Sequence, residues 1–127
     1  MSPDRQLGLI WGGVALILLL ALPLAPAFES RVPACPIKSH LDVPCLTCGG
    51  TRATVALAGL DAWEALSWNP LVALGLAGLV GGGLAVGGLA LVDRAIALPV
   101  GGTMSRVRWL AITAVLANWF YLVLADI

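Results

Sequence analysis

Three long apolar runs divide the chain, and the polar positions gather between them. Leu7–Phe28, Leu71–Val92 and Trp109–Ala125 contain no charged residue. A bilayer core of about 30 Å needs roughly 20 apolar residues in a helix. The first two runs pass comfortably and the third sits at the short limit of the workable range, about 17–25 residues. Three such runs in so short a chain leave no water-soluble body to bury them. The pattern therefore predicts an all-α integral membrane protein, a single domain over residues 1–127. Its spans are expected at about 7–27, 71–92 and 109–125, with a cysteine-rich loop and short interfacial helices over about 29–69.

Local signals refine these elements. Ser2-Pro3 reads as an N-cap followed by proline at the first helical position, where its missing N–H costs nothing. The first helix should run to about Leu22, where Pro23 and Pro26 end or kink it. Ala25-Pro26-Ala27 has the small-x-small form of a signal cleavage site. The preceding apolar run is long for a signal core and only Arg5 marks a basic start, so an uncleaved anchor is expected. Either outcome leaves the cysteine loop on the same side of the membrane.

Glu29–Gly50 reads as loop, because Pro33, Pro36 and Pro44 interrupt it and Gly49-Gly50 marks a turn. Thr51–Leu60 regains helical character. Asp61-x-x-Glu64 resembles a capping box opening a short helix over Ala62–Trp68. Trp63 and Trp68 suit the headgroup level, which predicts that these helices lie in the interface. Asn69-Pro70 repeats the cap-and-proline device and opens the second span. Within that span Gly78/Gly82 and Gly83/Gly87 each share a helix face. Such pairs allow close helix approach in lipid, expected here inside the protomer. In the third span Trp109, Trp119, Phe120 and Tyr121 form an aromatic belt, and Asn118 is expected to act as glue between helices.

Composition supports the same class. Of 127 residues, 60% are hydrophobic and 11% charged, against about 25% charged in soluble domains. Net charge is zero with no basic run, so nucleic acid is excluded as a partner on electrostatic grounds. The bilayer itself is the first partner. Arg5, Arg94, Arg106 and Arg108 fall on one side in a three-span topology. Arg31, Lys38 and Arg52 fall on the other, diluted by Glu29, Asp42, Asp61 and Glu64. Basic residues collect in the cytoplasm, so the expected arrangement is a multi-pass cell-membrane protein with its cysteine loop extracytoplasmic.

That loop holds all three cysteines and the only histidine: Cys35-x9-Cys45-x2-Cys48, with His40 between. Three chemistries are open. In the first, Cys35, Cys45, Cys48 and His40 supply the four ligands of a zinc site. In the second, Cys35 bridges to Cys45 or Cys48 in an oxidising compartment and leaves one thiol over. In the third, Cys45-x-x-Cys48 is a redox pair ahead of a helix N-terminus. This ranks lowest, since Gly49-Gly50 can hold the sulfurs away from the dipole and no βαβ pattern surrounds the motif. Arg52 offers a bidentate grip on a lipid phosphate, or a structural contact to a carbonyl, Asp42 or Glu29. No hydrolase, phosphate-loop or metalloprotease motif occurs, and no catalytic residue is assigned.

Cys35-Pro36, Pro44-Cys45, Cys48-Gly49, Thr51-Arg52-Ala53 and Asn69-Pro70 together resemble the signature of the Domain of Unknown Function 2752 family of small bacterial membrane proteins. The resemblance covers Cys35–Val80, about a third of the chain. Leu41-Asp42 stands where the family often has Thr-Gly, and Leu46-Thr47 where it has Pro-Gly. A histidine at position 40 is not part of the pattern. The resemblance implies that Pro36, Gly49, Thr51, Arg52, Asn69 and Pro70 form a structural motif with the cysteines, and it brings no activity. The expected role is a non-enzymatic membrane component, structural or partner-binding, with a membrane protein or a second copy as partner. The alternative is a thiol redox or metal-handling protein.

Overall fold

The computed structural model describes residues 3–33, 35–92 and 104–127. Among them every regular element is helical: α1 (Pro3–Ala21), α2 (Ala25–Glu29), α3 (Pro36–Leu41), α4 (Gly50–Ala58), α5 (Ala62–Trp68), α6 (Pro70–Leu91) and α7 (Met104–Leu124). Three helical stretches are long and apolar enough to cross a membrane: Pro3–Glu29, Pro70–Leu91 and Ser105–Leu124. The Ser2 cap and the Arg94 position lie outside the described residues.

The first span is one path with a joint. A 3-10 turn at Leu22–Leu24 links α1 to α2, and Pro23 and Pro26 each sit in the first turn of a new segment. Each proline thus falls where an amide donor is not needed.

Span one packs antiparallel on span two along a seam of small residues. Ideal methyl positions show how close the backbones come. A Cβ at Gly12 would lie 2.7 Å from Gly87 Cα, and one at Gly83 would lie 2.6 Å from Ala15 Cβ. Gly8 meets Ala90 in the same register. In lipid, helices associate through such close packing rather than through hydrophobic drive. The Gly83/Gly87 pair is therefore the intramolecular seam. Gly78 and Gly82 face open space, with nothing within 4 Å of a methyl at either position.

Between the spans, Ala56, Ala65 and Ala73 form a small buried core flanked by Leu57 and Leu66. It joins α4, α5 and the start of α6. Helix α4 stops in a Schellman turn: Leu60 N–H donates to Leu57 O at 3.0 Å and Asp61 N–H to Ala56 O at 2.9 Å. Leu60 takes the left-handed position, φ 61°, that glycine usually fills. Asp61 caps α5 through Glu64 N–H at 2.9 Å. Only that half of the capping box forms, because Asp61 N–H is already used by α4. One expectation needs correction. Glu29–Gly50 is not all loop, because Pro36 sits in the first turn of α3, where proline is tolerated.

Helix α7 meets the rest of the molecule at its C-terminal half. Residues 105–114 are exposed throughout, whereas Asn118 and Leu122 are buried. Asn118 Oδ1 accepts from Leu71 N–H at 2.9 Å, one of the orphan donors at the start of α6. The asparagine is glue between helices, as its type suggested. Two members of the expected aromatic belt, Trp119 and Tyr121, donate to backbone carbonyls outside the span.

Candidate functional site

The three cysteines converge at the end of the bundle where α6 begins and α7 ends. Cys35 is the N-cap residue of α3, and its carbonyl accepts from Ser39 N–H at 3.0 Å. Asp42, left-handed at φ 52°, turns the chain back toward buried Pro44. A tight turn follows, closed by Cys48 N–H on Cys45 O at 3.0 Å and Gly50 N–H on Thr47 O at 2.9 Å. Gly49, at φ +74°, redirects the chain into α4. A Cβ there would lie 2.6 Å from Trp68 O, so both conformation and space require glycine.

The result is a compact sulfur cluster. Cys35 Sγ donates to Cys45 Sγ at 3.3 Å, and Cys45 and Cys48 Sγ lie 3.5 Å apart. All three sulfurs fall within 4.8 Å of one another, and all three are free thiols. A tetrahedral ion with bonds of about 2.3 Å to sulfur holds its ligands about 3.8 Å apart. The cluster spacing brackets that edge, so the residues present fit a thiophilic cation.

Polar contacts from the spans hold the loop. Asn69, fully buried, caps α6 through Val72 N–H at 3.1 Å. The same side chain donates from Nδ2 to Leu46 O at 3.2 Å and Cys48 O at 2.9 Å. Trp119 Nε1 donates to Pro44 O at 3.1 Å, and Lys38 Nζ donates to Asp126 O at 3.4 Å. The carbonyls on both sides of Cys45 and that of Cys48 are thus tied to α6 or α7.

The sulfurs are electrostatically unequal. Thr47, whose hydroxyl lies 3.4 Å from Cys45 Sγ, leads in lowering the Cys45 thiol to about 7, helped by Cys35 and Cys48 against opposing burial. Burial raises Cys48 to about 11, reinforced by the neighbouring Cys45 sulfur. A single anion in the cluster therefore resides on Cys45. Cys48 instead accepts Cys45 N–H at 3.2 Å.

The other residues of the motif take separate places. His40 is exposed on α3 and is not among the grouped donors. Pro36 starts α3, Pro70 starts α6, and Thr51 is half-buried on α4. Arg52 is exposed, its guanidinium 4.5 Å from the Trp68 ring centroid. Thr47 and Trp119 escaped the sequence reading as site residues. So did the second duty of Asn69, although an asparagine amide always has two donors beyond its capping oxygen.

Residues 35–82 match the model of a family described as "Protein of unknown function (DUF2752)". This interval spans the sulfur cluster, α3–α5 and half of α6, and it bears out the resemblance carried by the motif. No curated protein and no solved structure matches the chain.

Proposed function

We propose that this multi-pass membrane protein uses Cys35, Cys45 and Cys48 to bind one thiophilic cation, zinc being the candidate, and that the ion braces a partner-binding cap on the extracytoplasmic face. One observation carries the metal assignment: the sulfur of Cys35 and the two of the Cys45–Cys48 turn lie within 4.8 Å of one another. Three protein thiolates leave one position of a four-coordinate ion for water or a partner's group. Arg5, Arg106 and Arg108, at the opposite ends of the first and third span-length helices from the cysteines, support the orientation.

The test is elemental mass spectrometry on protein purified in detergent without chelator. About one zinc per chain is expected. Cys35→Ser, Cys45→Ser and Cys48→Ser should each lose it, and Cys48→Ser should also lower the amount of folded protein. His40→Ala should retain the metal. Purified protein that carries no metal and takes up none from buffered zinc refutes the assignment.

A second reading rests on the 3.3 Å contact between the Cys35 thiol and the acidified Cys45. Joined as a disulfide, the pair gives up two protons and passes two electrons to an external disulfide, which becomes two thiols. Under this reading Cys45→Ser keeps normal abundance and loses thiol exchange.

A further inference from the structure

A second polar site lies away from the sulfurs. A cleft of about 530 Å³ opens between the end of α2 and the α4–α5 hairpin, within the usual range for small-ligand sites, about 300–1,000 Å³. Its walls carry one cation, Arg52, and three acids, Glu29, Asp61 and Glu64, over an apolar floor of Val55 and Ala56. These charges are not spent on one another. Among the described residues, Arg52 stacks on Trp68 and makes no ion pair. Among the same residues, Asp61 caps α5 with one oxygen, the Glu64 carboxylate accepts only a 3.5 Å bond from Trp68 Nε1, and the Glu29 carboxylate has no partner.

The depth of the cleft is set by its neighbours. Glu29 closes the first span-length helix. Leu60, between Gly59 and Asp61 of the lining, is 92% exposed, and Trp63, beside Glu64, is 83% exposed. Large apolar side chains left bare at a span's end mark the headgroup layer.

We propose that this cleft binds the headgroup of a zwitterionic phospholipid of the phosphoethanolamine class. Arg52 grips the phosphodiester oxygens, for which its planar fork is suited. The ammonium lies among Glu29, Glu64 and the free oxygen of Asp61, each an acceptor for its N–H donors. An anionic headgroup without an ammonium meets three carboxylates and one guanidinium, a net repulsion. A choline headgroup has no N–H to donate, and the Trp68 face that would receive it is already taken by Arg52. The site is independent of any metal at the cysteines.

The test is native mass spectrometry of the full chain, delipidated in detergent and offered equal amounts of phosphatidylethanolamine, phosphatidylcholine and phosphatidylglycerol. One phosphatidylethanolamine per protomer is expected, favoured about five-fold or more over either competitor. Arg52→Ala removes the grip on the phosphodiester and should lower the retained phosphatidylethanolamine about five-fold or more. The double variant Glu29→Gln, Glu64→Gln keeps the guanidinium and both hydrogen-bonding side chains, so its preference should turn toward phosphatidylglycerol. A purely structural role for these residues would not produce that reversal. Equal retention of the three lipids, preference for phosphatidylglycerol in the unaltered chain, or an unchanged double variant overturns the proposal. Glycerophosphoethanolamine binding as tightly as the lipid assigns the cleft to a soluble ligand and overturns the lipid source.

Discussion

Replacing Asn69 by aspartate separates two duties that one side chain performs. The carboxylate is as good an N-cap as the amide, so the bond to Val72 N–H survives. The two donors to Leu46 O and Cys48 O do not. In their place an oxygen faces two carbonyls at about the distance of a hydrogen bond, fully buried. Each lost bond costs about 0.5–1.5 kcal/mol, and carbonyls left unpaired cost about 1–3 kcal/mol. Asn69→Ser keeps a capping oxygen and removes the donors without adding a charge, for a loss of about 2–3 kcal/mol. Asn69→Ala also loses the cap, about 1 kcal/mol more. Asn69→Asp should be worse than Asn69→Ser, despite being closer in shape to the native residue. The assay is thermal unfolding in detergent, paired with alkylation of Cys48, which should become accessible as its carbonyl is released. Aspartate performing as well as asparagine would show that capping alone explains the residue, and would falsify the picture of Asn69 as the link between span and loop.

Other outcomes follow from the same contacts. Gly49→Ala places a methyl 2.6 Å from Trp68 O in a left-handed backbone; folded protein in the membrane should fall by an order of magnitude or more by immunoblot, about 2 kcal/mol or above. Gly87→Ala sets a methyl 2.6 Å from Gly12 Cα and should lower the melting temperature by several degrees, while Gly82→Ala, facing open space, should leave it unchanged. In metal-free protein, alkylation of Cys45 should rise as pH passes about 7, because the thiolate is the nucleophile and forms above its pKa. Cys48 should stay unreactive until about pH 11. Thr47→Val removes the leading stabiliser of the Cys45 thiolate and should shift its profile to higher pH; an unshifted profile refutes the role of Thr47.

Much of the architecture is legible because membrane helices announce themselves locally. The three apolar runs, the Asp61 and Asn69 caps and the short helix Ala62–Trp68 need no tertiary information. Pro36 reads as a loop residue in sequence because a proline's meaning depends on position, and nothing in the loop composition says that a helix starts there. The Gly83/Gly87 seam was visible as a pair, but its partner face, Gly8, Gly12 and Ala15, emerges only when two helices are docked. At the site the spacing singled out the three cysteines, and the chain folds so that their sulfurs meet. His40 lay at a tempting place in sequence, yet a six-residue helix with Cys35 at its N-terminal end leaves it exposed. Thr47 and Trp119 carry no local mark, since one acts by a single hydroxyl and the other arrives from far along the chain.

The bond from Trp119 to Pro44 joins positions 75 residues apart, and this separation has a biosynthetic consequence. Chains emerge from the ribosome at about 5–20 residues per second, so Pro44 waits roughly 4–15 s for its donor to be made. Leu71 N–H waits for Asn118 in the same way. During that interval the cysteines have already been synthesised, while the scaffold that gathers them is incomplete. The Cys45–Cys48 turn and its ties to Asn69 can form once α6 is made, but the tie at Pro44, between Cys35 and Cys45, is completed only when α7 arrives. Any ion, oxidant or chaperone that meets the thiols first meets an open loop rather than the finished cap.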